Sequence, residues 1–151
     1  MNIQYDSNFP VTAEAVKEIE GNEIVFNFLG HWPSFTDMEV LSLRLDRMDR
    51  NPSIYSDLTA EFYIYDLSKS PSDKDRKQAF LEILFSGLRD LKVEGWTHQN
   101  PLQGLSITIK DGNYFSVYWG GGLGHDASFC CDSIRVIRLR DRNPFLEVQD
   151  W

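Results

Sequence analysis

The chain has 151 residues, a net charge of −8 and 42% hydrophobic residues, enough to bury a sizeable core without disulfide or metal staples. No run approaches the roughly 18–20 apolar residues that span a bilayer, and Met1-Asn-Ile-Gln-Tyr-Asp6 has neither the basic start nor the apolar stretch of a signal peptide. The expectation is a protein that stays in the cytoplasm of the cell that makes it, touches no membrane, and, being acidic, repels nucleic-acid phosphates.

The charge is uneven. Met1 to Glu39 carries seven acidic residues and one lysine, a balance of −6, whereas Val40 to Trp151 carries sixteen acidic and fourteen basic residues, a balance of −2. The excess lies in Asp6, Glu14, Glu18, Glu20, Glu23, Asp37 and Glu39. It reads either as a solvated helix face or as an acidic surface that attracts a basic partner and speeds its capture.

Val11 to Glu20 reads as a helix with Thr12 as N-cap and Val16 and Ile19 three apart. Gly21-Asn22 breaks it, and Asn22 is placed to cap a second short helix carrying Ile24, Val25, Phe28 and Leu29 to Gly30. Glycine at that point suits a left-handed helix C-terminus, and Trp32-Pro33 prevents continuation, because proline drives its predecessor to extended geometry.

From Asp37 the pattern has period two, with Leu41, Leu43 and Leu45 on one face and Ser42, Arg44 and Asp46 on the other. Asp37 and Glu39 share the parity of the leucines, so without a bulge two carboxylates stand at the mouth of the core-facing row. There they need donors or a cation. Met48-Asp-Arg-Asn-Pro52 is rich in turn residues and reads as a connection.

Leu58, Ala60, Phe62 and Ile64 alternate with Thr59, Glu61, Tyr63 and Tyr65 as a half-buried strand, and the polar run Asp66 to Lys77 reads as a loop. Ala79, Leu81, Ile83 and Phe85 mark the next strand, Gly87 a turn, and Leu88, Leu91 and Val93 a short strand before Gly95. Around Asp111-Gly112 a hairpin is expected. A three-residue loop of Lys110, Asp111 and Gly112, pairing Ile109 with Asn113 and Ile107 with Phe115, aligns the two apolar rows.

Gly120-Gly-Gly-Leu-Gly124 lies between strand patterns and lacks the lysine and Ser/Thr of a phosphate loop, so it reads as a strand connection. Ala127, Phe129 and Cys131 alternate, and the apolar parity then shifts at Ile134 and Val136 and again at Ile137 and Leu139, which indicates bulges or a bend in a final strand. Arg135, Arg138, Arg140 and Arg142 fringe it, as charges do on exposed strand edges. Cys130 and Cys131 are adjacent and, at about 3.8 Å between neighbouring Cα atoms, too close for an ordinary disulfide.

The expected fold is α+β and mostly β: short N-terminal helices packed on an antiparallel, strongly twisted sheet of about seven or eight strands. A single domain over 1–151 divides into a helical acidic segment (1–30), the sheet (31–142) and a tail (143–151).

Three stretches carry a resemblance. Trp32-Pro-Ser-Phe-x-Asp-x-Glu-Val40 resembles the signature of the Imm50 family of bacterial immunity proteins, found beside polymorphic toxins. Gly95-Trp-Thr-His-Gln-Asn-Pro-Leu-x-Gly104 is similar to the family's Gln-Asn segment before a strand, and Cys131-x-x-Ile-x-Val136 to its last strand. Where the family often has histidine between the Phe and the Asp, Thr36 stands here, so no histidine at that place binds metal or moves protons. The resemblance implies a non-enzymatic protein that binds and neutralises a cognate toxin domain encoded by a neighbouring gene, with no cofactor and no metal.

Candidate partner contacts are Asp37 and Glu39 with Glu14, Glu18 and Glu23, and Trp96 and Tyr118 as aromatic anchors. The motif residues Trp32, Pro33, Ser34, Phe35, Gln99 and Asn100 read as structural, with Trp32 and Phe35 wedging helix against sheet. His31, His98 and His125 each lie near a potential ligand but lack metal-site spacing, which leaves a metal-dependent hydrolase as a remote alternative. A ligand-binding or regulatory β domain is the nearer one.

Overall fold

The computed structural model describes residues 1–50 and 53–142. The predicted tail 143–151 and the Asn51-Pro52 tip of the predicted connection lie outside them. Period-two alternation builds most of the rest: eight antiparallel strands, β1 (Glu39–Arg50), β2 (Ser53–Tyr65), β3 (Gln78–Ser86), β4 (Arg89–Glu94), β5 (Gly104–Lys110), β6 (Tyr114–Gly120), β7 (Asp126–Cys131) and β8 (Ser133–Asp141), follow two short helices, α1 (Ala13–Lys17) and α2 (Asn22–Leu29). The mostly β class, the antiparallel pairing and the strand number are those expected. The strands divide into two sheets of four, ordered β1-β2-β3-β8 and β4-β7-β6-β5, a division that alternation alone does not reveal.

The chain changes sheet at two bends. At Gly87 it passes from β3 to β4, and at Asp132 from β7 to β8. The parity shift before Ile134 is the second bend, so the predicted final strand is two strands in different sheets. The later shift is a bulge in β8, where Glu82 pairs with Arg138 and Ile83 with Val136.

Rings fill the space between the sheets. Phe62 on β2 and Phe85 on β3 meet Trp119 on β6 at centroid separations of 5.5 and 5.9 Å, and Phe85 meets Phe129 on β7 at 5.0 Å. The predicted rows Leu58-Ala60-Phe62-Ile64 and Ala79-Leu81-Ile83-Phe85 are fully buried there.

Four differences from the sequence reading have local causes. Helix α1 is shorter than Val11–Glu20, because Pro10–Val11 and Glu20 act as strand additions on either side of it. Thr12 Oγ1 caps it as expected, accepting from Ala15 N at 3.1 Å. The N-cap of α2 is Gly21 (φ 79°) rather than Asn22, whose Nδ2 reaches back to donate to Val16 O at 2.8 Å. Met48 to Arg50 belong to β1, paired with Tyr55 to Ser53, rather than to a connection. The hairpin loop has three residues, but they are Asp111, Gly112 and Asn113, pairing Ile109 with Phe115 and Ile107 with Val117. That register differs from the expected one by two, which keeps the same faces together, and the φ values of 52° and 66° at Asp111 and Gly112 fix the turn.

The N-terminal segment closes one flank. Ile107 N donates to Pro10 O and Thr12 N to Ile107 O on the outer edge of β5, while Glu20 N donates to Ile134 O and Val136 N to Glu20 O on the outer edge of β8. Helix α1 spans between, and its Ala15 and Val16 are buried. Cys130 and Cys131 are free thiols, and burial pushes the Cys131 thiol far above its ordinary range, which disfavours the nucleophilic thiolate.

Phe62→Ala removes the ring that touches both Phe35 and Trp119. The expected loss is about 3–5 kcal/mol of unfolding free energy, read from the shift of a urea unfolding curve. A loss below about 1 kcal/mol would show that this contact does not join the sheets.

Candidate functional site

Two crossing segments close one end of the sandwich. Residues 30–38 carry the chain from α2, which packs on β8, to β1 at the opposite edge of the first sheet. Residues 95–103 carry it from β4 to β5, the two edges of the second sheet. Where they cross they pair: Asp37 N donates to Leu102 O at 2.9 Å, Leu102 N to Met38 O at 2.8 Å and Val40 N to Asn100 O at 3.0 Å. Thr36 Oγ1 adds a bond to Gln103 O at 2.9 Å.

Left-handed backbone shapes this crossing. Phe35 (φ 62°) and Asp37 (φ 60°) both occupy a region costly for non-glycine residues. The zigzag sends Trp32, Phe35 and Met38 into the core and Asp37 to solvent. Trp32 lies between Phe26 and Phe35, and Phe35 packs edge-on against Phe62 at 5.3 Å. Pro33 and Ser34 are buried with them.

A bulge at Leu41, where Val40 pairs with Phe62 and Ser42 with Glu61, reverses the parity of the strand start. Met38 and Val40 therefore face the core, and Asp37 and Glu39 do not stand in the core-facing row. Glu39 accepts from Asn100 N through Oε1 at 3.3 Å. Tyr65 donates its hydroxyl to Asp37 O at 2.7 Å. Burial, and then the Asp37 charge, raise the Tyr65 phenol above its ordinary pKa, against the Arg76 guanidinium 3.8 Å over its ring.

The second segment is organised by Asn100, which is buried. Its Oδ1 accepts from Thr97 N at 2.9 Å and its Nδ2 donates to Thr97 O at 3.0 Å, closing a tight loop from which His98 and Gln99 project into solvent. Before the loop, Gly95 is required twice over: its φ is 66°, and a Cβ there would run into the Gly124 carbonyl. That contact brings the glycine-rich connection between β6 and β7 to the same end, with Leu123 49% and Trp96 44% exposed.

Beneath Trp96 lies His125, ring centroids 5.0 Å apart. Its Nε2 accepts from Trp119 Nε1 at 3.0 Å, and its Nδ1 faces Glu94 O at 2.9 Å. Because an indole nitrogen only donates, Nε2 is the unprotonated acceptor and Nδ1–H the donor. Both ring nitrogens are used inside the core, so His125 is no metal ligand here. Among the described residues no group of three or more His, Cys, Asp or Glu is placed to hold a metal ion.

Tyr118 stands on the adjoining outer face of the second sheet, stacked on Phe9 at 5.4 Å, its hydroxyl 3.5 Å from Asp126 Oδ1. Burial and the Asp126 carboxylate raise its pKa.

The structure thus brings Asp37, Glu39, Gln99, Asn100 and Trp96 to one end, with Tyr118 beside it. Glu14 and Glu18 stand apart: they line a cleft with Gly112, Asn113 and Tyr114 at the far end of β5, about 20 Å away at the strand rise. Glu23 lies in the first turn of α2. Leu123 is an addition to the sequence-derived set, because a leucine among glycines carries no periodic signal.

Two substitutions test this geometry. Asn100→Ala deletes both bonds to Thr97 and is expected to cost about 1–3 kcal/mol in urea unfolding; no loss would mean that the 97–100 loop holds without them. Asp37→Asn is expected to lower the Tyr65 pKa, since a charge opposing phenolate formation is removed. NMR titration of ring-labelled tyrosine reads this, and an unmoved Tyr65 would place the carboxylate away from the phenol.

In comparison with known families, residues 21–141 fit the model of Imm50, described as immunity protein 50. The match runs from α2 to β8 and leaves α1, with Glu14 and Glu18, outside it. No curated protein and no solved structure matches the chain.

Proposed function

This chain belongs to the Imm50 family of immunity proteins, and from that membership we propose that it neutralises a cognate toxin domain by binding it, performing no chemistry of its own. The toxin is encoded beside it, and the encounter takes place in the cytoplasm of the producing cell. The observation that carries the reading is the family match over most of the chain, which includes both segments of the closed end.

The binding surface we assign is that end. Trp96 and Leu123 are apolar side chains held partly in solvent by a rigid base, the Asn100 loop and the Gly95–Gly124 contact. Such anchors supply most of the energy of protein interfaces. Asp37 beside them, and Glu39 behind it, supply negative charge that favours a basic toxin surface and speeds its capture. Tyr118 extends the surface along the second sheet. Glu14 and Glu18, at the other end and outside the family match, act at long range in this reading through the overall field.

Co-expression with the toxin domain of the neighbouring gene tests the function: cells carrying both are expected to grow where cells carrying the toxin alone die, and equal killing would reject the assignment. Asp37→Lys tests the surface. Its side chain is exposed but its backbone is left-handed, so circular dichroism first checks that the fold is kept; toxin affinity at low salt is then expected to fall at least about tenfold, the gap narrowing as salt rises. Unchanged affinity would move the contact elsewhere.

A further inference from the structure

Four strand edges bound the two sheets. The outer edges of β5 and β8 are covered by Pro10–Val11 and by Glu20. On the other flank the edges are β1 and β4, and among the described residues the outer edge of β1 is paired only at its start, where Glu39 stands opposite Pro101 and Val40 N donates to Asn100 O. Among the described residues a strand of twelve is thus left open beyond Val40, with unpaired backbone donors and acceptors that template another strand.

Side chains along this edge fit the same conclusion. Leu45 pairs with Leu58 and so faces the inter-sheet core, yet it is 58% exposed while Leu58 is fully buried. It opens on a groove of about 420 Å³ shared with Leu88 and Leu91, where β4 stops short of covering β1. On the opposite face Arg44 and Asp46 flank it, two residues apart and ion-paired at 2.8 Å, both well exposed.

We propose that the open edge of β1 is a self-association surface, on which a second copy of this chain pairs antiparallel about a two-fold axis through Leu45. The sequence of the edge is complementary to itself in that register. Leu45 meets its counterpart over the groove, Arg44 stands opposite Asp46 of the other copy and Asp46 opposite Arg44, and Leu43 lies against the aliphatic stem of Arg47. A shift by one residue would centre the pair on Arg44 or Asp46 and set like charges against each other, so charge selects the register. Each copy then hides one exposed edge, and the eight strands of the two first sheets become continuous. Closed two-fold pairing stops there and does not propagate. The capped end with Asp37 and Trp96 is not used by this contact.

Sedimentation velocity of the full chain over a concentration series is the test. The wild type is expected to sediment as a dimer at tens of micromolar. Leu45→Lys puts two ammonium groups at the axis, and Arg44→Asp sets a carboxylate against Asp46 of the other copy. Each is expected to weaken dimerisation at least about tenfold while circular dichroism stays unchanged, since the altered side chains are exposed. The double exchange Arg44→Asp with Asp46→Arg restores the complement and is expected to recover the dimer. A wild-type chain that remains monomeric throughout overturns the proposal, as does a dimer indifferent to Leu45→Lys, which would be built on another face. A chain that is monomeric alone, with the β1 edge protected from hydrogen exchange only when toxin is added, also overturns it and assigns the edge to the toxin.

Discussion

Contact between Trp119 and the two phenylalanines opposite it is what makes the two sheets one body. Phe62 and Phe85 belong to neighbouring strands of the first sheet, and Trp119 meets both from the second. A residue of this size is rarely buried whole, and a buried indole N–H calls for an acceptor. Here His125 provides one, and the histidine is in turn fixed by the Glu94 carbonyl. The ring thus carries dispersion contacts on its faces and a satisfied polar group at its rim, and the glycine-rich connection is shaped to bring His125 back beneath it.

From that centre the ring contacts run outward without a break, through Phe62 to Phe35, Trp32 and Phe26. The signature stretch is therefore the continuation of the core across the end of the sandwich. Trp32 to Phe35 are all buried, and the left-handed residues Phe35 and Asp37 turn the chain so that Asp37 reaches the surface before Met38 enters the core again. One short motif thus holds a buried run and an exposed carboxylate, because a crossing segment must both pack on the core and face solvent.

Much of this was legible in the sequence. Alternation located β2, β3, β6 and β7 through rows such as Leu58 to Ile64, since burial on one face is a period-two signal. Gly30 was readable as a helix stop because its left-handed conformation is a local property. What escaped was set by distant partners. The bulge at Leu41 depends on pairing with Phe62 and Glu61, so the side on which Asp37 and Glu39 stand could not be read from parity alone. The hairpin register was missed by two residues because a shift of two leaves every face unchanged. The capping of α2 by Gly21 reflects the competing bond from Asn22 to Val16. As for the closed end, each of its two segments has a motif of its own, but nothing in either says that they cross.

The order in which the strands join the first sheet has a consequence in time. Strand β3 is flanked by β2, which precedes it directly, and by β8, which follows roughly fifty residues later. A nascent chain leaving the ribosome therefore carries β3 with one side open while the whole second sheet is being made, and Ile134 and Val136 are missing from its core until β8 emerges. Translation of β8 is the step that seals the fold. A newly made molecule is exposed to misassembly until then, and a message broken shortly before the codon for Ser133 would yield a sticky fragment rather than a weakened protein.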